Sequence, residues 1–133
     1  MPVTVELIYQ GGVALQTYSD PLEMAHLDAL KSKMDQEILS GASGKVHIIA
    51  DFRQVHNLPG MILTRGSRML NNAHPNTGLI VAIIAHPLVY RMAHVFASLI
   101  ARGSFKVAST FEEAVQIINA PVTTALSAKH QEH

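Results

Sequence analysis

Apolar and polar side chains alternate at the start of the chain, over residues 3–9 and again over residues 13–18. Alternation with a period of two is typical of strands that bury one face. Gly11 and Gly12 lie between the two segments, and glycine supplies the positive φ angles that a tight turn requires. The pattern predicts an opening β-hairpin whose turn depends on the two glycines.

A helical pattern replaces the alternation over residues 24–38, where apolar side chains recur at steps of three and four. Asp20 is a candidate N-cap, Pro21 suits the first helical position, and Glu23 completes a capping box. Gly41 follows the last apolar position and is a typical helix end. The sequence therefore predicts a helix of about five turns that begins directly after Asp20.

Strands and helices then alternate along the rest of the chain. The pattern predicts strands over residues 45–52, 79–85 and 105–109, helices over residues 59–71 and 86–103, and a last helix that is capped by residues 109–113 and closed by Pro121. The strand over 79–85 is apolar on both faces, as in strands covered by helices front and back. In the helix that begins at His86-Pro87, the spacing places four side chains inward: Leu88, Met92, Phe96 and Leu99.

The order of these elements predicts one α/β domain over residues 1–121. A hairpin followed by strands separated by helices requires a five-strand mixed sheet with about four helices, because parallel neighbours need a crossover connection. A chain of 133 residues is long enough for one core and too short for two. Residues 122–133 lose the periodicity and are predicted to form a tail that frays or docks on a partner.

Composition narrows the classes of function. Ten Lys and Arg balance ten Asp and Glu, and 48% of the residues are hydrophobic, which excludes intrinsic disorder and argues against a nucleic-acid partner. The chain has no cysteine, so disulfides and thiolate chemistry are excluded. The longest apolar run, over 79–85, is about a third of a membrane-spanning helix, and we expect no membrane insertion. Without a visible signal peptide, the prediction is a cytoplasmic protein.

The candidate catalytic and metal-binding groups form no recognised constellation. His86 and His94 flank one helix about 12 Å apart, which is too far to bind one ion. Asp51 lies at the carboxyl end of a strand, where open α/β sheets gather ligands, but its simpler role is a loop anchor that accepts backbone N–H groups. A triad of Asp51 with Ser109 and His56 lacks a nucleophile elbow. We therefore predict no catalytic residue, no metal and no cofactor, and a hydrolase is the least favoured function.

Positive charge gathers after the strand that ends at Asp51. Arg53, His56, Arg65 and Arg68 lie in the loop and helix that follow it, and the last two share a helix face. Together with the free N–H groups of the helix start near residue 60, these side chains could hold an anionic group of a ligand or partner. The alternative is a solvated helix face, which is the commoner use of such residues.

The layout resembles the STAS family, named for sulfate transporters and anti-sigma-factor antagonists, over about residues 3–119. The resemblance rests on the hairpin, the strand ending in Asp51-Phe52-Arg53, the apolar strand over 79–85, and the capped helix start Ser109-Thr110-Phe111-Glu112-Glu113-Ala114. It implies a regulatory or protein-interaction module without catalytic machinery.

One feature of that family has no direct counterpart in this chain. Many STAS domains are switched by phosphorylation of a Ser or Thr at the start of the helix after the Asp-bearing strand. Residues 51–60 contain no hydroxyl side chain. Thr64 and Ser67 are the nearest candidates for phosphorylation, and both are predicted to lie inside the helix.

Two functions stay open at this point. The first is the regulatory module that the STAS resemblance implies, with a protein partner or a homodimer formed along the helix over residues 59–71. The second is a binder or carrier of a small apolar or amphipathic anionic ligand, because the layout is also similar to that of lipid-carrying domains. The acidic head of such a lipid-like ligand would lie at Arg53, Arg65 and Arg68, and its tail among the methionines.

Overall fold

Five strands lie side by side in chain order in one mixed sheet. In the computed structural model, which describes residues 3–98 and 104–119, the strands are β1 (Val3–Ile8), β2 (Val13–Ser19), β3 (Val46–Gln54), β4 (Thr77–Ile83) and β5 (Phe105–Ala108). β1 and β2 form an antiparallel hairpin, and the three remaining pairs are parallel. The predicted five-strand mixed sheet is confirmed. The predicted tail over 122–133 lies outside the described residues.

Helices cover both faces of the sheet, but unequally. They are α1 (Met24–Lys33), which continues as a π-helical segment (Met34–Leu39), α2 (Ile62–Asn71), α3 (Pro87–Ala97) and α4 (residues 111–119). α1, α2 and α3 connect the parallel strands and pack on one face, whereas α4 is the one helix of the described residues that packs on the other. No helix in residues 3–98 and 104–119 combines the length and hydropathy of a membrane span.

The hairpin turn differs from the prediction in its backbone. Positive φ angles occur at Tyr9 (51°), Gln10 (58°) and Gly11 (84°), and not at Gly12. The N–H of Gly11 donates to the carbonyl of Ile8 at 3.1 Å. Positive φ at both central residues is the requirement of a type I′ turn, whose twist matches that of the flanking strands. The turn therefore centres on Tyr9 and Gln10, and the assignment of a positive φ to Gly12 was wrong.

The start of α1 also differs from the prediction. The helix begins at Met24 with Glu23 as its N-cap, and the Glu23 N–H donates to His26 Nδ1 at 3.0 Å. Asp20 is not the cap and Pro21 is not helical. The Asp20 carboxylate instead accepts the backbone N–H of His56 at 2.9 Å, in the loop after β3. A bond across 36 positions leaves no trace in the local sequence, so the local capping pattern was misleading.

α3 presents a different face from the predicted one. Ala93 and Phe96 are buried, which confirms the inward position of Phe96. Leu88 is 61% exposed, so the prediction that it faces inward was wrong, and Met92 is only partly covered, at 39% exposed. The small Ala93 lets the helix approach the sheet, and the Phe96 ring meets Phe105 of β5 edge-on with centroids 5.2 Å apart. The predicted inward position Leu99 lies outside the described residues.

The capping box predicted for the last helix is confirmed. Thr110 Oγ1 accepts the N–H of Glu113 at 3.1 Å. Ser109 Oγ donates to Glu113 Oε2 at 3.0 Å. Both bonds are local, which explains why the sequence alone located the start of α4.

A β-bulge in β4 is built around His47. Val46 pairs with Thr77 and Ile48 with Ile80, so two residues of β4, Gly78 and Leu79, face the single His47 of β3. The bulge takes the Leu79 N–H out of the ladder, and His47 Nδ1 accepts it at 2.9 Å. A Cβ on Gly78 would collide with the imidazole, so this position requires glycine.

We predict that acidification destabilises the protein through His47. Burial lowers the pKa of His47, so as the pH falls below about 6.5 the unfolded chain takes up the proton first. The His47 contribution is therefore complete above about pH 7 and is lost as the pH falls toward the folded pKa. Urea denaturation of wild type and His47→Gln should give a stability difference that is constant above about pH 7 and smaller at lower pH. A difference that grows on acidification would contradict the prediction.

Candidate functional site

A cavity of about 200 Å³ lies between the sheet and the three helices α1, α2 and α3. Its lining is almost entirely apolar. Closely packed protein cores leave few voids larger than a water molecule, so a space of this size is a feature of the site rather than a packing defect. It lies on the face of the sheet that α1, α2 and α3 cover, opposite α4.

Two alanines, whose short side chains leave space above the sheet, form the floor of the cavity. Ala50 of β3 pairs with Ala82 of β4 in the parallel register, and Gln16 of β2 lies next to Ala50 in the same row. Larger side chains surround these alanines, including Ile48 and Ile80 in the adjacent row. Two neighbouring methyl side chains at the middle of a sheet leave space that a helix above them does not fill.

The roof is formed largely by α2, which packs loosely. Gly66 is the single buried residue of this helix. Its backbone packs against the Phe96 ring of α3, since a Cβ on Gly66 would lie 3.4 Å from Phe96 Cζ. The apolar side chains that α2 directs into the cavity are all only partly buried: Ile62, Leu63, Met69 and Leu70. α2 therefore covers the alanine floor without reaching it.

The cavity opens to solvent between α2 and α3. Leu63 and Met92 both line it, yet they are 40% and 39% exposed. Met61, Leu88 and Val95 lie beside them in sequence or on the same helix face and are more than half exposed. We call these five residues the apolar rim. Leu63 and Met92 make this opening apolar, and the other three rim residues extend the exposed apolar surface beside it.

Polar groups in the lining are few. Tyr18 OH donates to Gln16 Oε1 at 2.5 Å, and the Tyr18 ring stacks on Phe52 with centroids 4.4 Å apart. Burial raises the pKa of Tyr18 far above its usual range, so the hydroxyl stays protonated. Lys31 and Asp35, also in the lining, form an ion pair at 2.7 Å. The remaining polar members are His74 and Thr77, where β4 begins.

The predicted anion site contains groups that already have acidic partners. Arg53 holds Asp51 through Nε at 2.9 Å and Nη2 at 2.7 Å, and its N–H also donates to the same carboxylate at 3.0 Å. Burial raises the pKa of Asp51, but the hydrogen bonds from Arg53 outweigh this effect and lower it. Asp51 thus anchors the chain at the end of β3, which was the simpler of the roles considered for it.

Two other members of that set hold α2 and its preceding loop. His56 Nδ1 lies 2.8 Å from Asp20 Oδ2, which links the loop after β3 to the end of β2. Arg65 Nη2 lies 2.5 Å from Asp28 Oδ2 and links α2 to α1. Arg68 is exposed. The structure therefore distributes Arg53, His56 and Arg65 among three different carboxylates.

The two candidate phosphorylation sites lie inside α2, as predicted. Thr64 Oγ1 donates to the Met61 carbonyl at 3.3 Å, and Ser67 Oγ donates to the Thr64 carbonyl at 3.0 Å. Thr64 is exposed in the first turn, whereas Ser67 is half-buried. Neither residue lies in the loop that follows the Asp-bearing strand.

The groups considered for a catalytic triad have separate partners. Ser109 bonds Glu113, His56 bonds Asp20 and Asp51 bonds Arg53. Within residues 3–98 and 104–119, no three His, Asp or Glu side chains are grouped to hold a metal ion. His86 caps α3 by accepting the Leu88 N–H at Nδ1.

Sequence reasoning missed the cavity and its lining. Two signals were present: alanines at the centre of otherwise large-residue strands, Ala50 and Ala82, and a glycine inside a helix, Gly66. Comparisons of the chain with protein-family models, curated proteins and solved structures find no match. The case for this site therefore rests on its geometry.

We predict that filling the cavity does not destabilise the protein. Ala82→Leu places its extra carbons in empty space and should leave the free energy of unfolding unchanged or raise it by about 1 kcal/mol. The matched control is Ala14→Leu, because Ala14 is fully buried on the same face of the sheet and does not line the cavity. Overpacking there should cost about 1–3 kcal/mol. Equal losses in the two variants, measured by urea denaturation, would contradict a real cavity.

Proposed function

We propose that this chain is a non-catalytic module that binds a small apolar molecule in the cavity beneath α2. The observation that carries the proposal is the apolar cavity of about 200 Å³ with its opening at Leu63 and Met92. An apolar cavity of about 150 Å³ is large enough to bind benzene. The ligand is therefore expected to be the size of one or two small rings or a short alkyl chain.

Binding rather than catalysis is supported by the chemistry of the lining. A catalytic pocket usually gathers titratable groups that are free to exchange protons. Here Lys31 and Asp35 neutralise each other, and Tyr18 and Gln16 bond one another. The absence of cysteine favours a reducing compartment such as the cytoplasm for this activity.

An amphipathic anion is the less favoured form of this ligand. Its head would need Arg53, His56, Arg65 and Arg68, and the first three would have to leave their carboxylate partners. Breaking such pairs offsets the gain from new ones. We therefore propose an apolar ligand whose affinity comes from the cavity.

We predict that propylbenzene binds inside the cavity. In a protein labelled with ¹³C at the methionine methyl groups, the signals of Met34, Met69 and Met92 should shift on titration, because these three side chains line the cavity. Met24 is buried and does not line the cavity, so it serves as the internal control. The observable is the methyl NMR spectrum at increasing propylbenzene concentration.

Ala82→Leu is the control for location. This variant should keep the fold and lose the three shifts, since leucine occupies the space of the ligand. Ala14→Leu should retain them wherever it is folded. Uniform shifts across all methionines, or undiminished binding to Ala82→Leu, would contradict the proposal.

As a second candidate function, we propose the regulatory module that the STAS resemblance implies, acting as a homodimer. It is an alternative to ligand entry through the rim, because a second copy would cover the opening at Leu63 and Met92. The specific support is the apolar rim, where Leu88 is 61% and Val95 65% exposed. Isologous dimers require a self-complementary patch, and the exposed apolar side chains of α3 can pack against those of a second copy. Arg91 is also exposed and lies one turn from both Leu88 and Val95, so it would lie within this interface. The partner surface thus includes α3 besides the start of α2, rather than only the helix considered at first.

We predict a dimer that depends on the rim. Light scattering after size exclusion should give twice the chain mass of 14.5 kDa for the wild type. The double variant Leu88→Glu, Val95→Glu should give the single-chain mass, because two charges cannot be buried in an apolar interface. Leu7→Glu, at an exposed residue of β1, is the matched control and should remain dimeric. A wild-type monomer at micromolar concentration would refute the dimer.

A further inference from the structure

Gln16 and Tyr18 form a polar pair in the wall of an otherwise apolar cavity. Both side chains project from β2 toward the helices, and they are 6% and 4% exposed. The stacking of Tyr18 on Phe52, with ring planes 5° apart, fixes the direction of its hydroxyl. The O–H then fixes the Gln16 amide through the bond at 2.5 Å.

The amide of Gln16 retains hydrogen-bonding capacity. A primary amide has two N–H donors and one carbonyl oxygen. Oε1 accepts from Tyr18, at a distance that suits O–H···O rather than N–H···O. Among the described residues, Nε2 has no hydrogen-bond partner. Every fully buried side-chain nitrogen or oxygen in that part of the chain has a partner, so Nε2 must be partly accessible. Gln16 lines the cavity, so its N–H donors are accessible from inside it.

The amide lies beside the alanine floor of the cavity. Gln16 stands in the same cross-strand row as Ala50 and Ala82, the two residues that lower the floor. Tyr18 and Phe52 lie one step further toward the carboxyl ends of the parallel strands, where α/β sheets gather ligands. A molecule lying on the alanines would therefore meet the amide at its side.

We infer that the ligand is a neutral apolar molecule with one hydrogen-bond acceptor, which the Gln16 amide binds. This inference rests on the proposed function of the cavity. Leaving a buried amide donor without an acceptor costs free energy, and an acceptor on the ligand removes that cost. An anion is disfavoured because Lys31, the one Lys or Arg among the described residues of the lining, is paired with Asp35. Ketones, aldehydes, esters and alcohols of suitable size form the expected class.

The test compares three probes with the same carbon count: propylbenzene, propiophenone and 3-phenylpropanoate. Titration calorimetry and the methionine methyl spectrum give their dissociation constants with wild type and Gln16→Met. Methionine keeps a similar length but removes the amide. We expect the affinity for propiophenone relative to propylbenzene to fall about fivefold in Gln16→Met. 3-Phenylpropanoate should bind most weakly to the wild type.

Two further variants control the comparison. Gln54→Met makes the same substitution at an exposed position outside the cavity and should leave the affinity ratio unchanged. Tyr18→Phe preserves the ring while releasing the amide, and it should reduce the ratio less than Gln16→Met does. It also tests the inference if Gln16→Met fails to fold, because an unchanged ratio in Tyr18→Phe would then overturn it.

The outcomes separate the inference from the proposal beneath it. If none of the three probes binds, both fail. If propylbenzene and propiophenone bind and Gln16→Met leaves their ratio unchanged, the cavity is a ligand site but Gln16 does not recognise an acceptor. If 3-phenylpropanoate binds most tightly, the ligand is an anion and the inference is overturned.

Discussion

Four neighbouring strands, β2 to β5, are parallel and follow one another in chain order, and this topology determines where the helices lie. Because β2 to β5 are parallel neighbours, each step between them needs a crossover helix, and the three crossovers occupy the same face. Within residues 3–98 and 104–119, α4 is the one helix on the opposite face, with Ala114 and Ile118 against the central strands. Three helices therefore share one face, and the middle one, α2, reaches the core only through partly buried side chains such as Ile62, Met69 and Leu70.

The cavity follows from that crowding and from residue size. α2 contributes one buried residue, Gly66, and the strands beneath it contribute alanines at the centre of the floor. Phe96 and Phe105 occupy one side, and Tyr18 with Phe52 the other, so the large rings stand around the alanines and not on them. The large rings on the two sides of the cavity support α2, and the small side chains of Ala50 and Ala82 leave the space between them empty.

The sequence predicted those features that depend on local periodicity and failed where distant contacts decide. The strands, the helices and the Thr110–Glu113 capping box follow from neighbours a few residues apart. Asp20 resembled a cap locally, but its carboxylate serves a loop 36 positions away. The inward face of α3 was misjudged because Ala93, not a larger side chain, meets the sheet. Residues from three helices and four strands line the cavity, so the pattern of no single segment predicts it.

The attachment of α2 suits a cavity that must admit a ligand. Apolar burial provides little to hold this helix, and its two polar links, Arg65 to Asp28 and the His56 loop to Asp20, lie at the surface. Exposed ion pairs contribute little free energy, and segments with few buried contacts open more readily than the rest of a domain. The basic residues that first suggested an anion site therefore act as tethers. They position the roof of the cavity without closing it, so under the proposed function α2 is the element that we expect to move when an apolar molecule enters between Leu63 and Met92.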